Sequence, residues 1–442
     1  MREGAAVRHP QYGEGVVIDY EPRRGVNVDF GFVAAWVSVL ELECPDAVEH
    51  STEGEPEALR SRLGDSPLPS LPKDVVDARR AVLALKLGQV LEEDVVQLSI
   101  GTENIQRQLE QAVSAAVKRK PQSMLIEGAW GTGKTHLMTM LTRIASEKGL
   151  ATATVILDGE GVTLREPMGL MVSILGSLRY PGEMVPCGIG SRLADLGRRP
   201  MPPELWRYAG HRMANVIEQI PQGAFDEPEV MEVLEDYFML TLPPSHAREK
   251  LRQHHYRISL PPLKAQRLAE RSQRFCDLLK GWAGICSLTG AKGLAVVFDE
   301  LDVEYSGYAI GLRDTLLEAF SALSGEKCPL LLAFGAAPTS DEVDNANDAV
   351  EDLAASINGI QRIKAPLPDV EQMKELGARL QVLYRGAYPE RSSVTEPDEI
   401  RRKIEHFAVN HEAEQLSPTP RGFVRGTLEL LDVMSKHDNN DA

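Results

Sequence analysis

An α/β fold built on a parallel sheet is the class the sequence predicts, on three observations. Beyond residue 120, short apolar runs alternate with segments of helical periodicity, as in sheets whose parallel strands are joined by helices. The segment Gly128-Ala129-Trp130-Gly131-Thr132-Gly133-Lys134-Thr135 fits G-x-x-x-x-G-K-[ST] at every fixed position, between a strand at 123–127 and a helix at 136–148. Downstream, Leu294-Ala295-Val296-Val297-Phe298 reads as a strand buried on both faces, and it ends in Asp299-Glu300.

Size and composition bound the rest. The 442 residues exceed the roughly 250–300 at which one core stops growing, so at least two domains are expected. A hydrophobic fraction of 43% argues against a disordered or fibrous chain. No stretch approaches the roughly 18 uncharged apolar residues of a membrane span, and the N-terminus lacks the apolar core of a signal peptide. A cytoplasmic protein without membrane association is expected. Five scattered cysteines (Cys44, Cys187, Cys276, Cys286, Cys328) offer no C-x-x-C pair, so neither a disulfide framework nor a structural zinc site is expected. With 48 Lys+Arg against 65 Asp+Glu the net charge is −17, which as a bulk figure disfavours nonspecific binding to nucleic acid and leaves room for a local patch.

Taken in order, residues 7–43 are short β-branched and aromatic runs cut by Gly13, Gly15 and the turn Pro22-Arg23-Arg24-Gly25, a pattern that predicts a small antiparallel β-barrel over 1–43. Residues 44–72 hold six acids and five prolines, Pro72 at the edge, with little apolar periodicity, and read as an acidic linker. Helices are expected from about Asp77 and about Asn104, opening a core over 73–364 with a helical insert at about 165–290; residues 365–442 are expected to form a C-terminal helical lid.

In the Gly-rich loop, Gly128, Ala129, Trp130, Gly131, Thr132 and Gly133 would turn backbone N–H groups around phosphates, and the helix N-terminus beginning near His136 adds favourable dipole charge. Lys134 would neutralise phosphate oxygens and the Thr135 hydroxyl would ligate Mg²⁺. Asp299 stands at the C-terminal end of its strand, where ligands bind in such sheets, and would hold Mg²⁺. Glu300 would accept a proton from the attacking water. The competing reading is that the two acids cap the next helix. Both motifs together predict ATP hydrolysis with ATP and Mg²⁺ as cofactors. The adjacent Asp-Glu pair points to the additional-strand, AAA-like division of P-loop NTPases. In that division a polar residue ends the next strand, read at 329–335; apolar residues stand there instead, with Thr339 and Ser340 following. Near the C-terminus Pro420-Arg421 opens a helix. In related ATPases such a pair supplies a sensor arginine, which makes Arg421 the candidate ahead of Arg425, against a surface or capping role. Arg313 and Arg362 fall where an arginine finger acting between subunits of a homo-oligomer arises.

The insert carries an acidic stretch (Asp226, Glu227, Glu229, Glu232, Glu235, Asp236), then nine Lys/Arg against three acids over 245–280. Lys264, Arg267, Arg271 and Arg274 fall at offsets 0, 3, 7 and 10, which on a helix is one face. Contact with DNA phosphates fits such a stripe. A solvated face, or pairing with the preceding acids, fits it as well and more simply.

Two resemblances extend this reading. The pattern V-x-H-P-x-Y-G-x-G-V-V from Val7, followed by V-x-V-D-F, resembles the Tudor-like barrels of transcription–repair coupling factors, CarD-type regulators and UvrD-type helicase tails, and implies docking on other proteins. From about residue 77, ARRAVLALKLGQV, QLSIGTENIQRQLEQAV, GAWGTGKTHLM, PMGLMVSILGSLRYP, LAVVFDELDVEY and PTPRGFVRGTLELLD together resemble the P-loop ATPase family of BREX-like bacteriophage-defence systems. That resemblance implies an accessory ATPase of antiviral defence working with partners such as a helicase or a TerB-like protein. Two further classes stay open: a slow nucleotide-dependent switch that recruits a helicase through the barrel, and a DNA-remodelling or loader ATPase.

Overall fold

The computed structural model describes strands within residues 6–37 and, beyond them, 74–158, 161–183, 185–186, 189–197, 210–264, 267, 270–301, 310–323, 327–337, 354–357, 359–389, 402 and 419–437. Strands β1 (Ala6–His9), β2 (Gly13–Glu21), β3 (Gly25–Asp29) and β4 (Ala34–Val37) pair antiparallel in sequence order, with a register irregularity between Val17 and Asp19. This meander occupies the stretch expected to form the Tudor-like barrel. The expected linker at 44–72 lies outside the described residues.

The chain forms two compact units, residues 101–367 and residues 1–100 with 368–442. In the first, α2 (Glu103–Val117) leads into β5 (Gln122–Glu127), the Gly-rich loop and α3 (Lys134–Glu147), followed by β6 (Ala151–Ile156). Among the described residues six α-helices then intervene: α4 (Pro167–Gly176), α5 (Ile189–Gly197), α6 (Gly210–Gln219), α7 (Pro228–Phe238), α8 (Pro244–Gln253) and α9 (Arg271–Leu288). The chain returns through β7 (Leu294–Asp299), α10 (Ile310–Leu323), β8 (Leu330–Ala336) and β9 (Gln361–Lys364). The strands form one parallel sheet in the order β6-β7-β8-β5-β9, so β8 lies between the strand that enters the Gly-rich loop and the strand that ends in Asp299.

Every residue of β7 and β8 is buried, as expected of strands covered on both faces. Alternation along the strands puts Phe298 and Phe334 on one face and Val297, Asp299, Ala333 and Gly335 on the other. On the first face the Phe298 and Phe334 rings stack at 5.2 Å, and Phe320 of α10 meets both, at 5.8 and 5.6 Å. Phe275 of α9 meets Phe320 edge-on at 5.6 Å, so this aromatic cluster fastens the helical insert to the sheet.

In the other unit, α1 (Val75–Lys86) packs Ala78, Ala81, Val82 and Leu85 against Leu376, Leu380 and Leu383 of α11 (Val370–Ala387) and Phe423 and Leu428 of α12 (Pro420–His437). Asp74 caps α1, and Asp369 with Gln372 forms a capping box on α11. Lys86 and Tyr384 both reach Asp432, at 2.5 and 2.8 Å. The core boundary expected at residue 73 is therefore corrected. Residues 74–100 belong to the unit of α11 and α12, because α1 buries its apolar stripe against those helices.

Phe320→Ala is expected to cost about 3–5 kcal/mol in the unfolding of the sheet-bearing unit. Urea unfolding followed by tryptophan fluorescence checks it, with Phe320→Leu costing clearly less.

Candidate functional site

The Gly-rich loop leaves the buried end of β5, where Gly128 N–H donates to Ala336 O of β8 at 3.3 Å. Gly131 and Gly133 have φ of +81° and +101°, left-handed values that glycine reaches without a Cβ penalty. Gly133 is the N-cap of α3 and supplies no side-chain acceptor, so the first-turn N–H groups of that helix are available to an anion. A Cβ on Gly128 would run into Thr132 Oγ1 and the Ala365 methyl. Thr132 Oγ1 donates to Ala129 O at 2.8 Å, tightening the turn. Trp130 stands out of the loop, 67% exposed.

Lys134 is buried, and its Nζ donates to Gly128 O at 2.9 Å and Ala129 O at 3.3 Å. Two carbonyl dipoles thus offset the desolvation of the ammonium. One residue on, Thr135 Oγ1 donates to Asp299 Oδ2 at 2.8 Å. The other Asp299 oxygen accepts from Glu300 N–H at 2.8 Å, and Glu300 follows with φ of +58° and an exposed side chain. Left-handed backbone at a residue other than Gly, Asn or Asp is costly and concentrates at functional sites.

The bond between Thr135 and Asp299 has to span β8, and Gly335 of that strand makes this possible. A Cβ there would overlap the Met138 methyl and sit 3.0 Å from Asp299 Oδ1. Its absence lets the first turns of α3 settle onto the sheet. Sequence reasoning missed Gly335, since a lone glycine at a strand end carries no periodic signal. It also missed Glu127, the buried last residue of β5. Arg362 of β9 grips it with both arms, through Nε to Oε1 and through Nη2 to Oε2 at 3.0 Å. Such a bidentate charged pair holds β5 to β9 at the root of the loop.

His136, in the first turn of α3, is half-buried, and burial pushes its pKa from 6.5 down to about 4. The imidazole is neutral at neutral pH, and the dipole at the helix N-terminus acts in the same direction.

The structure thus brings together the loop residues 128–136, Asp299 and Glu300. Arg421 lies in the helical unit, exposed in the first turn of α12, with its guanidinium against Gly88, whose φ of +75° and missing Cβ accommodate it. Arg425 pairs with Glu429 at 2.9 Å. Thr339 and Ser340 lie outside the described residues, as does the Arg313 side chain.

The basic stripe is corrected. Helix α9 begins at Arg271, so Lys264 and Arg267 precede it in bends after Pro261-Pro262 and the four cations do not share one helical face. Arg271 pairs with Glu166 at 2.9 Å, and Arg267 is 3.9 Å from Glu270. Their partners therefore lie outside the acidic stretch at 226–236. Within that stretch Glu227 accepts from Tyr256 Oη at 2.5 Å. Among the described residues no group of three or more His, Cys, Asp or Glu is placed to hold a metal, and no helix is long and apolar enough to cross a membrane.

An anion-receiving loop on a parallel α/β sheet, with a hydroxyl and a carboxylate converging beside it, is what fold and site define. The family described as BREX system ATP-binding protein BrxC/D matches residues 76–169, from the start of α1 through the loop into α4. No curated protein matches the chain. Among solved structures, a Walker-type ATPase of Pyrococcus abyssi is similar over 78% of this chain and 75% of its own, at 13% identity and a TM-score of 0.31.

Because the folded chain holds the His136 pKa below that of the unfolded chain, the stability gained by keeping the ring neutral is complete above pH 6.5 and is lost as pH falls through about 4. Relative to His136→Gln, the native protein should therefore lose stability between pH 7 and pH 4. Urea midpoints across that range test the trend.

Proposed function

We propose that this chain binds and hydrolyses ATP as an accessory ATPase of a bacteriophage-defence system. The observation that carries the reading is the convergence of Thr135 Oγ1 and Asp299 Oδ2 at 2.8 Å beside a loop with two left-handed glycines. A hydroxyl and a carboxylate suit a hard divalent cation, and these two residues would hold Mg²⁺. When bound, Mg²⁺ neutralises charge on the phosphate oxygens and the leaving group.

The rest falls to the chain itself. Loop N–H groups and the uncapped N-terminus of α3 bind the phosphates, and Lys134 exchanges its two carbonyl partners for phosphate oxygens. Glu300 accepts the proton of the attacking water, its left-handed backbone fixing where the carboxylate leaves the strand end. Arg421, which follows the Pro420 that opens α12, is assigned to the γ-phosphate. Similarity over residues 76–169 to a BREX ATP-binding family supports the defence setting. It also supports partners drawn from the same system; a helicase or a TerB-like protein is the partner we assign, with the β1–β4 meander as its docking module.

Replacing Lys134 by Ala should abolish ATP-dependent phosphate release, and undiminished release would overturn the assignment. Glu300→Gln should keep nucleotide affinity while turnover falls by about 10²-fold or more. Weakened binding at unchanged turnover would contradict the role given to Glu300.

A further inference from the structure

At the end of the sheet opposite the Gly-rich loop, α2 and the C-terminal end of α3 frame an open groove of about 420 Å³. Its location follows from topology. Lys118 and Lys120 lie in the turn that leads into β5 and Lys148 in the turn that leads into β6, whereas the loop follows the far end of β5 and Asp299 stands at the far end of β7. Six residues of β5 separate the two ends by about 20 Å.

Arg107, Gln111, Ser114 and Lys118 succeed one another at steps of four, three and four residues, so they share one face of α2. From Arg107 to Lys118 that face runs about 16 Å. Lys120 and Lys148 widen it. Arg107, Lys118 and Lys120 are exposed, and none of the four cations makes an ion pair among the described residues. The acid lining the groove, Glu110, is engaged by Gln106 at 3.0 Å. On a chain of net charge −17, this is a local excess of three positive charges, four cations less Glu110.

Cations near a helix C-terminus complement its dipole, which accounts for Lys118 and Lys148. It does not account for Arg107, about three turns earlier on the same face. Unpaired cations on an acidic protein match a dense polyanion. A nucleic-acid strand presents one charge about every 3.4 Å, several along this face. The chain's own acidic segment at 44–72 spreads six acids over 29 residues, which is far sparser.

We propose that this groove binds the phosphodiester backbone of nucleic acid, without reading sequence. The site is separate from the residues assigned to ATP, so it stands or falls independently of hydrolysis.

The test titrates the full chain into a fluorescent mixed-sequence 30-base-pair duplex at about 50 mM salt and above, where four phosphate contacts give a slope of log K against log [salt] of about −3 to −4. The combined variant Arg107→Glu, Lys118→Glu, Lys120→Glu and Lys148→Glu should bind at least tenfold more weakly, with unchanged circular dichroism and unchanged basal ATP turnover. The milder set in which the same four residues become Gln should lose affinity in the same direction. Absence of duplex binding at low salt, or retained binding in both variants, overturns the proposal. So does binding lost only when Lys264 and Arg267 are reversed, and so does tighter binding of a peptide of residues 44–72 than of the duplex.

Discussion

Thr135 Oγ1 donates to Asp299 Oδ2 at 2.8 Å, and the arrangement of the sheet-bearing unit can be followed outward from that bond. The partners are 164 residues apart, one in the first turn of the helix that follows β5 and the other at the end of β7, and β8 lies between those two strands. The bond closes because α3 lies low over β8, which the face made of Val297, Ala333 and Gly335 permits through its small side chains. The bulk goes to the other face, where Phe298, Phe320 and Phe334 fill the space between sheet and helices. A hydrogen bond to a charged group contributes about 1.5–3 kcal/mol. Its larger effect is positional, for it sets the first turn of α3 against the strand end where Glu300 begins.

Electrostatics around the loop repeat this economy. Lys134 is buried against two loop carbonyls, a pairing that neutral dipoles satisfy and that phosphate oxygens satisfy better. Glu127, buried at the root of the loop, is held by the Arg362 fork. Burial likewise keeps His136 neutral next to the helix N-terminus.

Much of this was legible in sequence because local pattern carried it. Fixed glycines and lysine between a strand and an apolar helix placed the loop, and an unbroken apolar run placed β7 and its terminal Asp299. What was not legible depended on which surfaces meet. The apolar stripe of α1, with Ala78, Val82 and Leu85, looks the same whether it covers a sheet or two helices, and it covers α11 and α12. Arg362 and Glu127 are 235 residues apart and meet through β5–β9 register. Charges at 264–274 recur at helical spacing, yet helical periodicity of charge does not make a helix, and α9 begins where Ser272, Phe275 and Cys276 supply a buried face.

The central claim is that Thr135 and Asp299 form the metal-dependent half of an ATP site. Calorimetric titration of ATP, with magnesium and with a chelator, into the native chain and into Asp299→Asn tests it most directly. The account predicts that magnesium tightens binding to the native chain and has little effect on the variant, with chelated ATP bound alike by both. Equal magnesium dependence in the two proteins would contradict it.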